Sequence, residues 1–246
     1  MENERLTATI HRIYLEAVDV PLARASAGQF VMVLIPGAGE IPLSVYYQRK
    51  GRLGFIVEEF GGFSTNMTKV KIGAELGVRG PYGRGFSRVS NSRYLLIAGG
   101  SGAPPLLNFL RQAKRLKNVS LTYLLGGRSS TDLFLLEEAE KHGAGVYVST
   151  DDGSKGFKGY VTDLARRLFI DGKYDRVYAC GPEAMLKEAL RLSRYFGTIY
   201  EGSFVRDVRC AVGICGLCVL EGSGLLVCRD GPVFTGKELG GLLATV

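Results

Sequence analysis

The chain has 246 residues, with 31 Lys and Arg against 24 Asp and Glu for a formal charge of +7; 46% of it is hydrophobic and 22% charged. Those proportions exclude a disordered or fibrous chain, and at roughly 150 residues per domain the length holds one large or two small domains that fold without disulfide staples. Glycine is the outlier, with 34 residues, about twice the usual ~7% share and without a collagen period, so the excess marks tight turns and close backbone approaches.

Met1 to Arg5 is acidic and polar rather than the cationic-then-apolar start of a secretory leader. No run of about 18 apolar residues follows, so a soluble, cytoplasmic protein is expected. Up to about residue 90 the pattern is short and alternating, which predicts strands over 7–14, 29–35, 43–48, 53–58 and 75–79. Turns such as Pro36-Gly37-Ala38-Gly39 separate them, and the spacing points to a small antiparallel barrel. Near Arg93 the rhythm changes. Tyr94-Leu95-Leu96-Ile97-Ala98 is a continuous apolar run ending in Gly99-Gly100-Ser101-Gly102, and Leu106, Leu107, Leu110, Ala113 and Leu116 then recur at helical spacing over 105–117. The unit repeats as strand 119–125 with helix 133–142, strand 145–149 with helix 160–169, and strand 176–179 with helix 182–195. Alternating strands and helices predict a parallel sheet covered on both faces. From about residue 201 the helices stop and a Cys- and Gly-rich tail begins. The expected organisation is therefore a two-domain chain, α+β then α/β: an antiparallel barrel over 1–90, a parallel-sheet nucleotide-binding domain over 91–200, and a cysteine tail over 201–246.

Cys180 stands alone, whereas the tail reads Cys210-x4-Cys215-x2-Cys218-x9-Cys228. In a reducing compartment such clustering means metal or redox chemistry rather than disulfides. The first three cysteines have the spacing of plant-type 2Fe-2S ferredoxins, and Ala211, Gly213 and Gly216 let the backbone wrap a cluster and aim N–H groups at its sulfurs. A structural zinc site, or inert buried thiols, are the alternatives; zinc ribbons usually carry two C-x2-C pairs and this chain has one.

The Gly99, Gly100, Gly102 turn follows the first parallel strand and opens its helix, where glycines would admit a pyrophosphate to the helix N-terminal N–H groups. Ser149-Thr150-Asp151-Asp152-Gly153-Ser154 and Cys180-Gly181-Pro182-Glu183-Ala184-Met185 end later strands, where open parallel sheets place their ligands. An Asp-Gly turn and a helix start with Pro182 near its first position are the plainer readings of those two segments. His11 and His142 are too isolated for a metal site or a triad.

Together with Gly28-Gln29-Phe30-Val31-Met32, Gly80-Pro81-Tyr82-Gly83 and Cys228-Arg229-Asp230-Gly231-Pro232-Val233-Phe234, these segments resemble the ferredoxin-NADP reductase superfamily, and more closely the electron-transfer subunits of class 1B dihydroorotate dehydrogenases. The resemblance covers nearly the whole chain. It implies FAD on the barrel, with Ile41, Pro42, Leu43, Ser44, Val57, Glu58, Ser64 and Thr65 as its contacts. It places NAD at Gly99, Gly100, Gly102, Asp151, Gly181 and Pro182, with Cys180 beside the nicotinamide as the catalytic candidate. It assigns a 2Fe-2S cluster to Cys210, Cys215, Cys218 and Cys228. It also implies a heterotetramer with two copies of an FMN-containing catalytic subunit that oxidises dihydroorotate in pyrimidine biosynthesis and sends single electrons through the cluster to FAD, which reduces NAD+. Where the family has Arg-Pro-x-Ser, this chain has Ile41-Pro42-Leu43-Ser44, so a bidentate donor to the flavin phosphates is missing and Ser64, Thr65, Lys69 or backbone N–H groups are left to hold them. Arg128-Ser129 would suit a 2′-phosphate, yet an exposed loop charge reads the same, and NAD is the reading kept. Two other functions stand beside this one. The same chassis could serve a bifurcating transhydrogenase or a sulfide dehydrogenase. A basic zinc-binding nucleic-acid module is permitted by the charge but opposed by the even spread of Lys and Arg. Neither a nucleic acid nor a membrane is an expected partner.

Overall fold

The computed structural model describes residues 2–17 and 23–240; Met1, 18–22 and the last stretch of the expected tail, 241–246, lie outside the described residues. The N-terminal region holds strands β1 (Glu2–Arg5), β2 (Ile10–Glu16), β3 (Phe30–Ile35), β4 (Gly39–Ser44), β5 (Tyr47–Arg49) and β6 (Arg52–Glu58), a short helix α1 (Gly62–Thr68), and strand β7 (Gly77–Tyr82). They form two antiparallel sheets, β1-β2-β6-β5 and β4-β3-β7. Among the described residues no ladder joins the sheets, so the barrel is open, two layers closing on one core. Ile13 and its register partner Phe55, with Val31, Val33, Leu53 and Val57, fill that core.

The predicted strand over 43–48 is two strands. Pro42 has no N–H to donate and sits on edge strand β4, which begins earlier, as the hairpin partner of β3. The chain then breaks at Val45 and Tyr46, whose N–H groups stay bonded within the barrel while their carbonyls and the Tyr46 hydroxyl are taken up by the second domain. Asn108 donates to the Val45 carbonyl at 2.7 Å, Arg111 donates to the Tyr46 carbonyl, and the Tyr46 hydroxyl donates to Glu138. β3 shows why one strand reads as a run, Phe30-Val31-Met32-Val33, rather than alternating. Val31 and Val33 face the barrel core while Phe30 and Met32 pack against the C-terminal region, so both faces are buried.

The second region comprises β8 (Ser92–Gly99), α2 (Ala103–Ala113), β9 (Val119–Gly127), α3 (Leu136–Lys141), β10 (Gly145–Thr150), β11 (Phe157–Lys158), α4 (Val161–Asp171), β12 (Arg176–Cys180), α5 (Glu183–Tyr195) and β13 (Ile199–Ser203). The tail adds a hairpin, β14 (Val219–Leu220) and β15 (Leu225–Leu226), and a last strand β16 (Val233–Thr235). The large sheet runs β11-β10-β9-β8-β12-β13-β16, all parallel except β16. On β8, Leu95 and Ile97 face α4 and α5, while Leu96 and Ala98 face α2 and α3, so burial on both faces produces the unbroken apolar run. Successive strands step one way from β8 and then restart at β12 on its other side. The order thus reverses between Gly99 and Cys180, at the ends of neighbouring strands, and such a switch point opens a crevice. The boundary placed at 200 falls inside β13, and β16 pairs with β13, so the tail is sewn into the sheet. Among the described residues no helix is long and apolar enough to cross a membrane.

Candidate cofactor cleft and cysteine loop

A cleft of about 1020 Å³ lies between the barrel and the switch point, at the upper end of the range for ligand pockets and large enough for an extended dinucleotide. Of the expected flavin contacts, Pro42, Ser44 and Glu58 line it, whereas Ile41, Leu43, Val57, Ser64 and Thr65 do not. Strand alternation explains the first three exceptions: on β4 positions 41 and 43 point away from 42 and 44, with Leu43 packed on the barrel core, and Val57 is a core residue at 2% exposure. The Ser64 hydroxyl is engaged locally, accepting from the Phe60 N–H at 2.8 Å and donating to the Gly61 carbonyl at 3.1 Å. Thr65 is held in α1, its N–H on the Gly61 carbonyl at 3.0 Å. Neither residue nor Lys69 reaches the cleft wall. Its cations are instead Arg128, Arg166 and Arg206. The latter two pair with Glu188 and Glu183 of α5, both at 2.8 Å. Sequence reasoning weighs Arg128 but misses Arg166, Arg206, the α4 start at Tyr160–Asp163, and Phe30 and Phe60. The two-sided burial of β3 was the one available signal, since Phe30 forms part of the cleft wall.

On the sheet side, Gly99, Gly100, Gly102, Asp151, Cys180, Gly181 and Pro182 all line the cleft. Their glycines differ in purpose. A Cβ on Gly102 would stand 2.0 Å from the Cys180 carbonyl oxygen, and one on Gly99 would lie 2.8 Å from the Met185 sulfur and 2.9 Å from Pro182. These two glycines let the ends of β8 and β12 touch. Gly100, at φ +51°, faces open space and leaves its backbone bare at the cleft wall. Cys180 is 4% exposed and bonded to the Ser203 side chain; burial pushes its thiol up to about 12, so it is a neutral thiol at the cleft wall. Asp151 is exposed at the mouth, while Asp152 accepts from the Ser154 N–H and hydroxyl at 2.9 and 2.6 Å.

The cysteine loop is wound by left-handed backbone at Ala211, Gly213 and Gly216. That winding turns the N–H groups of Val212, Ile214 and Cys215 onto the Cys210 sulfur, the Ile214 contact being 3.4 Å, and draws that thiol down to about 6. Cys228 donates its N–H to the Cys218 sulfur at 3.4 Å, and both residues are buried. All four are free thiols, with hydrogen bonding between Cys210 and Cys215 and between Cys218 and Cys228. Two pairs suit a binuclear cluster, in which each iron takes two thiolates, and the inward N–H groups offset thiolate charge. Val208 and Val227, flanking the first and last of the four cysteines, form part of the cleft wall, so one layer of residues separates the cysteine loop from the cleft.

Residues 206–240 match the family model described as the iron-sulfur cluster binding domain of dihydroorotate dehydrogenase B, and 96–191 match the oxidoreductase NAD-binding domain. A Thermococcus kodakarensis protein named probable dihydroorotate dehydrogenase B (NAD(+)), electron transfer subunit, is 39% identical over 242 residues, 96% of this chain and 98% of that one. The chain belongs to this family of electron transfer subunits. A Methanocaldococcus jannaschii member of the same name is 35% identical over 86% of this chain and 80% of its own. Among solved structures, one of NADH-dependent reduced ferredoxin-NADP oxidoreductase superposes with a TM-score of 0.86 at 29% identity, covering 100% of this chain and 92% of that one. The ferredoxin reductase of carbazole 1,9a-dioxygenase, at 22% identity and a TM-score of 0.70 over 80% of this chain and 64% of that one, shares the fold. The family member described here is thus an oxidoreductase subunit for NAD-linked electron transfer through FAD and a 2Fe-2S cluster, and the zinc-module alternative is set aside.

Proposed function

We propose that this subunit docks, in the cytoplasm, on an FMN-containing catalytic subunit that oxidises dihydroorotate, two copies of each chain making the assembly. One observation carries the reading. Cys215 is exposed and ringed by Ile214 at 84%, Val212 at 50% and Leu217 at 44% exposure, an apolar collar that a monomer would keep from water and that a partner would cover. Behind it, Val208 and Val227 connect the loop to the cleft. A cluster on these cysteines would lie between the collar and the cleft, which is where a one-electron relay belongs.

Bound FAD supplies exchange between single electrons and the hydride of NADH. The chain supplies geometry. Pro42, Ser44 and Glu58 would form the flavin wall, and Gly100 and Asp151 would hold the dinucleotide, Gly100 through open backbone and Asp151 from the cleft mouth. Cys180 would pack its neutral thiol against the nicotinamide and exclude water there. Ile214→Asp should abolish co-purification with the catalytic subunit while iron, sulfide and FAD stay at wild-type ratios; retained assembly would sink the docking face. Cys180→Ala should slow NADH-dependent flavin reduction at least tenfold with both cofactors in place, and an unchanged rate would remove that residue from the site. The whole-chain likeness to the NADH-dependent reduced ferredoxin-NADP oxidoreductase structure favours a second reading, in which the same collar seats another iron-sulfur flavoprotein. Recovery of a partner that does not oxidise dihydroorotate would select it.

A further inference from the structure

Arg79 on β7 joins parts of the molecule that the sequence keeps far apart. Its Nε and Nη2 donate to the two carboxylate oxygens of Glu40 on β4, both at 2.7 Å. Its Nη1 donates to the Cys210 carbonyl at 2.9 Å and to the Tyr82 hydroxyl at 3.2 Å, and Nη2 also donates to the Arg209 carbonyl at 3.1 Å. Those bonds engage all five N–H groups of the guanidinium. Glu40 shares its strand face with Pro42 and Ser44 of the cleft wall. The Tyr82 ring meets Phe30, another wall residue, at 5.9 Å. One guanidinium thus ties the first cluster ligand to the flavin-side sheet by a polar leg and an aromatic leg. A lysine could not reproduce the fork.

We propose that Arg79 is a positioning residue for electron transfer: it fixes the cluster loop against the flavin wall and, as a permanent cation beside Cys210, raises the reduction potential of the cluster, with Glu40 as its counterweight. The proposal rests on the reading of the four cysteines as a 2Fe-2S site. A cluster gains negative charge on reduction, so a nearby cation favours the reduced form and a nearby carboxylate disfavours it.

The test uses the full chain with cofactors bound, and compares wild type with Arg79→Gln, Glu40→Gln and the double variant. Iron and acid-labile sulfide are counted first, and the midpoint is then read by redox titration followed by electron paramagnetic resonance. Arg79→Gln leaves Glu40 unbalanced and should shift the reduction equilibrium about tenfold toward the oxidised cluster, equivalent to about 59 mV for one electron. Glu40→Gln should shift it severalfold the opposite way, and the double variant should return close to wild type. A strut without electrostatic effect would move neither midpoint, or both in one direction, and either result overturns the proposal. Should Arg79→Gln lose its cluster, Glu40→Gln decides alone: a raised midpoint supports the proposal and an unchanged or lowered one overturns it. Wild-type protein lacking iron and sulfide would instead overturn the cluster reading itself, and the proposal with it.

Discussion

The two walls of the cleft are built by different means. On the sheet side the wall is backbone: strand ends, a bare turn at Gly100, and two glycines that let β8 and β12 meet. On the barrel side it is side chains, Pro42, Ser44 and Glu58, each selected by which face of a strand it occupies. A backbone wall tolerates almost no substitution at its packing glycines. A side-chain wall can trade a residue so long as the strand keeps its register.

The largest effect is expected at the seam holding the walls together. Glu138 accepts from Tyr46 of the barrel and from Arg111 of α2, and its side chain and that of Arg111 are 18% and 17% exposed. Glu138→Ala leaves a largely buried guanidinium without its carboxylate and should cost about 4 kcal/mol, read as a lowered thermal midpoint and earlier proteolysis between the domains. Next comes Gly102→Ala, whose methyl would meet a backbone carbonyl that cannot move aside; about 3 kcal/mol is expected, with a melting temperature roughly 10 °C lower. Gly100→Ala sharpens the contrast. Its methyl meets nothing, so only the left-handed backbone costs it, about 1 kcal/mol, while NADH affinity measured by titration should fall about tenfold. If Gly100→Ala destabilised as much as Gly102→Ala, the division of labour among these glycines would be wrong.

The smallest effect is a pH dependence at the junction of barrel and tail. Arg84 grips Glu238 at 2.6 Å and holds its carboxyl down to about 2. A carboxyl lowered in the folded state stabilises fully above its ordinary value near 4.5 and loses that contribution as pH falls toward 2. With side chains 43% and 33% exposed, the pair is worth about 1 kcal/mol or less. Thermal midpoints between pH 5 and pH 2 should fall less steeply in Glu238→Gln than in wild type.

The backbone wall was legible in sequence because its signals are local. The apolar run 94–98 and the glycines after it announce a parallel strand and its turn within a dozen residues, and the cysteine spacings announce an iron-sulfur site in the same way. The side-chain wall was only half legible. Residues 41 to 44 locate the strand, but which of them face the cleft depends on how β4 registers against β3, and β3 is itself buried on both faces. Arg79 was not legible at all, because 131 positions separate it from the carbonyl of Cys210. The tail misled through its composition: it looks like an appendage, whereas β16 is the seventh strand of the large sheet.

That last strand gives the cysteine loop an unusual status. It leaves the sheet at β13 and rejoins it at β16, which are hydrogen-bonded neighbours, so its two ends meet whether or not metal is present. Most of the chain entropy needed to gather the thiols is therefore already spent by the sheet when iron arrives. The loop is a circuit plugged into one edge of a reductase fold, and a chain that ran directly from β13 to β16 would keep the sheet but lose the part of the cleft wall that Arg206, Val208 and Val227 supply.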